Sequence, residues 1–351
     1  MWANNRTFHE DMEWISAADF IPWNRLQKCR IFVTGATGLI GSTLVEALLY
    51  ANQKKELGMQ VEALVRDENR ARERFRDQLA QGTAQLRFIT GSIEELPEIN
   101  GQVDYIIHGA SQTSSKAFVN HPVETIRTAL RGTENVLELA HQKQAKGIVY
   151  LSSMEVYGHP QRGHKVVETD AGALSTLDIR SSYPLSKQQC ENMCCAYASE
   201  YSVPAKIIRL TQTFGPGVKY DDERIFAYFG RCMDEKKDIV LRTKGETERS
   251  YLYTRDAVTA ILAVLLKGKP GEAYNAADES TYCSIAEMAE RVARLAGISV
   301  RYELDEEKKN GYPQTLYMDL DAGKLRSLGW RPGGAASLEE MYLRMVAGMI
   351  R

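Results

Sequence analysis

Long apolar runs are missing from this chain. The longest, Ala260–Leu266, is seven residues, against the roughly 20 that a membrane-spanning helix needs. A charge excess of one sign is missing as well: Lys+Arg 44 against Asp+Glu 46 leaves a formal net charge of −2. Nucleic acid and anionic membranes therefore find no electrostatic hold on the chain as a whole. Paired cysteines are absent, since Cys29, Cys190, Cys194, Cys195, Cys232 and Cys283 make no C-x-x-C, and neither a disulfide framework nor a zinc module is expected. No basic-flanked apolar segment opens the sequence, where Glu10, Asp11 and Glu13 stand instead, so no secretory signal is read. No internal repeat or low-complexity tract occurs. What is present is an ordinary globular mixture, 44% hydrophobic and 26% charged over 351 residues. That excludes disorder over most of the length. A reduced, soluble, cytoplasmic protein is expected.

Short apolar runs alternate with longer helical patterns through the first 210 residues or so. Strands are expected at Arg30–Thr34, Val61–Val65, Leu86–Thr90, Val103–His108, Gly147–Ser152 and Ala205–Leu210, and helices at Leu39–Tyr50, Asn69–Gln81, Val123–His141 and Tyr183–Tyr201. Each strand is apolar on both faces, as a strand covered on both sides must be. The alternation predicts an α/β fold, a parallel sheet with right-handed crossovers. Regularity ends at the turn cluster Phe214-Gly215-Pro216-Gly217. Beyond it, helices near Arg224–Glu235, Arg255–Lys267, Ser284–Leu295 and Leu338–Met349 with brief strands between them predict a smaller capping region. Residues 1–28 carry Trp2, Trp14 and Trp23 and are read as an extension packed on the domain, with Trp23 and Leu26 as anchors. The boundaries are then 29–214 for the regularly alternating half and 215–351 for the second region, with about 250–267 returning to the sheet.

Gly35-Ala36-Thr37-Gly38-Leu39-Ile40-Gly41 follows the first strand and opens a helix. In that place a glycine-rich turn brings backbone N–H groups and a helix N-terminus against a pyrophosphate. Gly35, Thr37, Gly38, Leu39, Ile40 and Gly41 are the candidate contacts, and NAD or NADP the candidate cofactor. The second strand ends Val65-Arg66-Asp67. An acid there would hold a ribose hydroxyl, and an arginine would accommodate a 2′-phosphate. Arg66 gives a slight lean to NADP, while Asp67, one residue on, keeps NAD open.

Tyr183-Pro184-Leu185-Ser186-Lys187 places a phenol and an ammonium one helical turn apart on one face. An unaided tyrosine ionises near pH 10. A nearby lysine and a cationic nicotinamide would favour the phenolate and make Tyr183 a base near neutrality. Ser152-Ser153-Met154-Glu155-Val156-Tyr157-Gly158 follows the fifth strand, where a hydroxyl faces the ligand crevice of an open α/β sheet. His108 lies inside the fourth strand and reads as a satisfied core histidine. Cys190 and Cys194 read as buried thiols, His159 and His164 as rim residues of a Gly/Pro loop, and Asp305–Lys309 as a solvated charge run.

Taken in order, GATGLIG at 35–41, HGAS at 108–111, SSMEVYG at 152–158, YPLSK at 183–187, RLTQTFGPG at 209–217 and RSYLY at 249–253 resemble the extended short-chain dehydrogenase/reductases of the nucleotide-sugar epimerase/dehydratase type. The resemblance spans about residues 29–280. It implies a Rossmann-type doubly wound parallel sheet with a smaller C-terminal α/β substrate-binding region. It also implies Ser153, Tyr183 and Lys187 as the catalytic triad, Ala110 and Ser111 lining the cofactor, and Ser92 and Ile93 at the adenine side, where the family has an aspartate. Arg249 and Gln212 are implied at the substrate diphosphate, with Gln212 replacing the usual asparagine. Dehydratases of this type resemble T-D-E-V-Y-G after strand five and decarboxylases T-S-E-V-Y-G. Here Met154 cannot donate a proton while Glu155 is kept, which lies nearest the UDP-glucuronate decarboxylase branch. Arg180, three residues before Tyr183, either meets a carboxylate bidentately or forms a salt bridge at the helix start. A nucleotide-sugar substrate and a homodimer through the Val123–His141 and Tyr183–Tyr201 helices are what the resemblance implies. A 4-epimerase and an NADPH-dependent 4-ketoreductase are the alternative chemistries. An idle dinucleotide sensor would have no need of the proton relay.

Overall fold

The computed structural model describes residues 5–80, 85–112, 115–304, 314–333 and 337–351. Trp2, Gln81 and the Asp305–Lys309 run lie outside them. Helix α1 (Arg6–Ala17) leads to β1 (Arg30–Thr34), α2 (Leu39–Lys55), β2 (Gln60–Val65), α3 (Glu68–Arg74), α4 (Arg76–Ala80), β3 (Leu86–Thr90) and β4 (Tyr105–His108). Next come α5 (Ser115–Asn120), α6 (Pro122–Gln142), β5 (Gly147–Ser153), β6 (Lys165–Val166), α7 (Ser182–Glu200), β7 (Ala205–Leu210), β8 (Gln212–Phe214), α8 (Ile225–Glu235), β9 (Ile239–Leu241) and β10 (Glu248–Tyr253). The chain closes with α9 (Thr254–Lys267), β11 (Ala273–Ala276), β12 (Asp278–Ser284), α10 (Ile285–Ala296), β13 (Val300–Tyr302), β14 (Tyr317–Leu320), α11 (Gly323–Arg326) and α12 (Leu338–Ala347).

Seven strands pair in the order β11-β7-β5-β4-β1-β2-β3, every pairing parallel. This is the Rossmann-type sheet, and its strand order reverses between β1 and β4, where such sheets open a ligand crevice at their carboxyl ends. The period of two along each strand feeds two cores. Ile31 and Val33 of β1 pack with Ile15, Leu44 and Ile261 from α1, α2 and α9. Phe32 of the same strand packs with Val136 and Leu137 of α6 and with Cys190 and Cys194 of α7. Helix α9 is buried at every residue from Thr254 to Leu266, so the longest apolar run is a core helix. Among the described residues no helix is long and apolar enough to cross a membrane, and all six cysteines are free thiols.

A second sheet, β12-β10-β14-β6 with β8 beside β10, rests against α8, α10 and α12 around Phe214, Phe226, Tyr251, Met288 and Tyr342. It carries Gln212 and Arg249 toward the carboxyl end of the large sheet. The stretch near 250–267 resolves into the end of β10, which belongs to this second sheet, and α9, which covers the large one. The strand added at the large sheet's edge is β11.

Three features depart from the sequence expectation. The helix expected over Asn69–Gln81 breaks at Phe75, whose fully buried ring turns under β3 to meet Phe88. Strand β11, Ala-Tyr-Asn-Ala, has no β-branched residue to announce it. The extension forms a helix, α1, with Asn5 as its side-chain N-cap and Phe8, Met12 and Ile15 buried. Asp11 of α1, also buried, accepts from Tyr253 Oη at 2.7 Å and Arg344 Nη2 at 2.8 Å. Trp23 and Leu26 are buried beside the sheet.

Candidate active site

The turn after β1 can only be built with glycine at two positions. Gly35 has φ +72°, and a Cβ there would lie 2.6 Å from the carbonyl carbon of Gly109 after β4. A Cβ on Gly41 would lie 2.1 Å from Gly35 O, so α2 is seated hard against the strand it follows. Gly38 is the N-cap of α2; among the described residues no side chain caps that helix, and no acid stands in its first turn. Thr37 and Gly38 are exposed and Leu39, Ile40 and Gly41 half-buried. The first-turn N–H groups are thus left to a ligand, and the positive end of a helix dipole suits an anion. This cradle fits the pyrophosphate of a dinucleotide.

Beneath it, the Ala110 N–H donates to Thr34 Oγ1 at 3.1 Å. His108 Nδ1 lies 2.8 Å from the same oxygen and Nε2 lies 3.2 Å from Thr133 Oγ1. Burial, aided by the Lys187 charge, pushes His108 down to about 3. It is a neutral core histidine. Ser111 is half-buried beside Ala110. Ser92 Oγ accepts from the Glu94 N–H at 3.2 Å. The Ile93 side chain is buried against Gly132, so that loop offers a ligand its backbone and the serine rather than the isoleucine. Arg66 is exposed at the end of β2. Asp67 Oδ1 accepts from Arg70 N at 3.1 Å as the N-cap of α3.

Across the crevice, α7 begins at Ser182 with Pro184 in its first turn, where a missing N–H costs nothing. The i, i+4 spacing then brings Tyr183 and Lys187 together. Lys187 Nζ lies 5.6 Å from the Tyr183 ring centroid, 4.6 Å from that of Tyr150, and donates to Leu151 O at 2.7 Å. Burial pushes the ammonium down to about 8, against an opposing pull from Cys190, Glu191, Cys194 and Glu155. Tyr183 hydrogen-bonds with Ser153 and is raised above the usual phenol range, by burial first and by the Glu155 charge second. Lys187 alone therefore does not make Tyr183 a base near neutrality; a further cation is needed. The Phe118 ring stacks flat on the phenol, centroids 4.4 Å apart.

Glu155, half-buried in the turn after β5, is raised by burial, while Arg249 and then Lys187 pull it back. Arg249 is half-buried, and its buried Nε has no hydrogen-bond partner among the described residues. Such an orphaned donor beside a crevice fits an incoming anion. Gln212 on β8 stands in register with Tyr251, two residues along β10 from Arg249. Met154 is turned away, buried with Val156, Val166 and Met318, its Sδ 3.3 Å from Thr211 Oγ1. Arg180 is exposed in the turn before α7. It pairs with no carboxylate among the described residues, so the salt bridge that sequence left open is not formed. Ser153, Glu155, Tyr183, Lys187 and Arg249 come together; Arg180, three residues before Tyr183, is exposed and bonded to none of them among the described residues.

One network was not read from the sequence. Ser152 Oγ donates to Glu191 Oε1 at 2.5 Å, and Arg209 grips the same carboxylate from Nε at 3.0 Å and Nη2 at 2.7 Å. Arg209 Nη1 reaches Tyr157 Oη at 2.7 Å, which donates to Asn275 Oδ1 at 2.6 Å. These groups clamp both ends of the Ser153–Glu155 segment to α7 and β7. The only signal available was an arginine in an apolar strand.

The model of the NAD dependent epimerase/dehydratase family matches residues 31–277. UDP-glucuronic acid decarboxylase 6 of Arabidopsis thaliana is 29% identical over 303 residues, covering 86% of this chain and 84% of the plant protein. UDP-glucuronic acid decarboxylase 1 of Xenopus tropicalis is 27% identical over 303 residues, covering 86% and 68%. Among solved structures, UDP-N-acetylglucosamine 4-epimerase of Methanobrevibacter ruminantium superposes with a TM-score of 0.77 at 19% identity, covering 91% of this chain and 97% of that one. A dTDP-glucose 4,6-dehydratase of Streptomyces venezuelae with NAD bound superposes with a TM-score of 0.73 at 24% identity, covering 90% and 95%. With its glycine cradle, its seven-stranded sheet and a family match over most of its length, this chain belongs to the NAD-dependent epimerase/dehydratase family of enzymes.

Proposed function

We propose that the chain modifies a nucleotide-linked sugar through a 4-keto intermediate and acts most like a UDP-glucuronate decarboxylase. The observation that carries this reading is the contrast between two neighbours in the turn after β5. Glu155 faces the Tyr183–Lys187 pair, while Met154 is buried in the core. A site so built keeps a carboxyl group but presents no acid from position 154 to protonate a leaving hydroxyl, as elimination of water would need. Loss of carbon dioxide from a β-keto acid needs none. The decarboxylase names of the relatives point the same way.

When bound, NAD would take hydride from the sugar carbon, return it later, and bring a positive ring to the site. Tyr183 would accept the proton of the hydroxyl on that carbon, and Ser153 would donate a hydrogen bond to the developing carbonyl oxygen. Carbon dioxide leaves from the neighbouring carbon, and the electron pair of that bond passes to the enolate oxygen. Glu155, held toward its protonated form by burial, would protonate the carbon left behind. Arg249 and Gln212 would hold the diphosphate. Arg180, exposed and paired with no acid among the described residues, would have its fork available for the substrate carboxylate.

A second reading, an NADPH-dependent 4-ketoreductase, is favoured by one observation: Arg66 is exposed while Asp67 is engaged as a helix cap. A 4-epimerase shares the proton relay but gives Glu155 no task. Denaturing freshly purified protein and weighing the released dinucleotide by mass spectrometry separates the ketoreductase from the two readings that recycle NAD. Stoichiometric NAD is the expected result, since the proposed cycle returns its hydride. An empty site that takes up NADPH from solution contradicts it.

The outer face of α6 and the turn before α7 expose Val123, Ile126, Leu177 and Ile179 around a groove of about 620 Å³. We propose that a second copy of the chain covers this face, and light scattering should give twice the chain mass. A monomer at micromolar concentration would remove the proposal.

A further inference from the structure

Phe118 has no place in the proton relay, yet it makes the closest ring contact in the site. Its plane lies 8° from that of Tyr183 with centroids 4.4 Å apart, and both rings are buried, 7% and 8% exposed. A second tie joins the same two segments: Ser182 Oγ donates to Phe118 O at 3.1 Å. Helix α5 is thus fixed to the first turn of α7 by one side-chain contact and one backbone contact, on either side of the Ser182–Tyr183 peptide. Parallel stacking is a directional arrangement, whereas an aliphatic side chain in the same space would leave the phenol free to rock. A base acts only when its oxygen is held within hydrogen-bond reach of the proton it removes. The same flat cover excludes water from one face of the phenol.

We infer that Phe118 is a positioning residue for Tyr183, fixing the plane of the phenol and keeping one of its faces dry. This rests on the reading of Tyr183 as the base. The ionisable groups facing Tyr183 are Glu155 from the turn after β5, Tyr150 from β5 and Lys187 from α7. None of them is replaced in the test, so a shift on changing Phe118 reports the lost cover alone.

Two readouts test it. Tyrosinate absorbance of each protein, with NAD present and its own Tyr183→Phe control subtracted, follows that one phenol across pH. Phe118→Ala should lower the midpoint by about one pH unit, because water at the ring face eases ionisation. Phe118→Tyr, which keeps the stack, should return it. On the substrate, Phe118→Ala should lower kcat about tenfold with KM little changed, the cost of a loosened base. In a Tyr183→Phe background it should cost nothing further. An unmoved midpoint, or an equal loss of kcat in both backgrounds, overturns the inference. A protein inactive on every nucleotide sugar whose midpoint still moves would overturn the functional reading and leave Phe118 in its role.

Discussion

Replacing Tyr183 with phenylalanine lowers turnover by about 10³-fold, within the range a positioned acid–base group supplies, and leaves the fold and dinucleotide binding intact. The substitution removes one oxygen and keeps the ring that stacks on Phe118. No core contact is lost, so the melting temperature should hardly move. The lost oxygen is the one that bonds with Ser153 and feels the Glu155 charge. Burial and that charge hold the free protein's phenol neutral at ordinary pH, so activity at saturating substrate should rise with pH as the assembled site ionises. The Tyr183→Phe residue should show no such limb. Steady-state kinetics across pH, with cofactor binding followed by fluorescence, measures both. Full activity of the variant would remove Tyr183 from the mechanism.

Arg209→Met should destabilise the protein by about 3–5 kcal/mol, the usual cost of removing one partner of a buried ion pair. Glu191 is 7% exposed, and without Arg209 its carboxylate keeps only the Ser152 hydroxyl among the bonds described above. Tyr157 and the Glu168 carbonyl lose a donor at the same time. Melting temperature should fall by roughly 4–7 °C for a chain of this size. Pairing the change with Glu191→Leu should recover most of the loss, because the double variant leaves no orphaned charge. Thermal melts of the three proteins decide it; a fall of less than about 1 kcal/mol for Arg209→Met would show the pair to be water-screened.

The elements that position the site were readable because their signals are local. The glycine spacing at 35–41 is dictated by contacts within one turn of chain. Tyr183 and Lys187 needed only the helical period, and the short apolar strands only their covering on both faces. What could not be read depends on partners distant in sequence. Asp11 is an ordinary surface acid until Arg344 and Tyr253 arrive from the other end of the chain. Arg209 opens the RLTQTFGPG string, and nothing near it in sequence shows that its guanidinium is taken up by Glu191 and Tyr157 inside the molecule. Ile93 stood at a cofactor position, and its side chain is drawn into the core by the space beside Gly132. Lys187 and a cationic nicotinamide together were expected to bring Tyr183 toward neutrality; the burial that opposes them in the free protein depends on packing the sequence does not show. The Phe118 stack joins residues 118 and 183 through α5, which has no periodic pattern to reveal it.

The most direct test is to incubate the purified protein with UDP-glucuronate and NAD and to identify the product by mass spectrometry and proton NMR. The account predicts a UDP-pentose lighter by one carbon dioxide, with no net consumption of NAD. A product that keeps its carboxylate and is inverted at C4 would contradict decarboxylation and make the protein a 4-epimerase. Unchanged UDP-glucuronate would move the substrate elsewhere within the family.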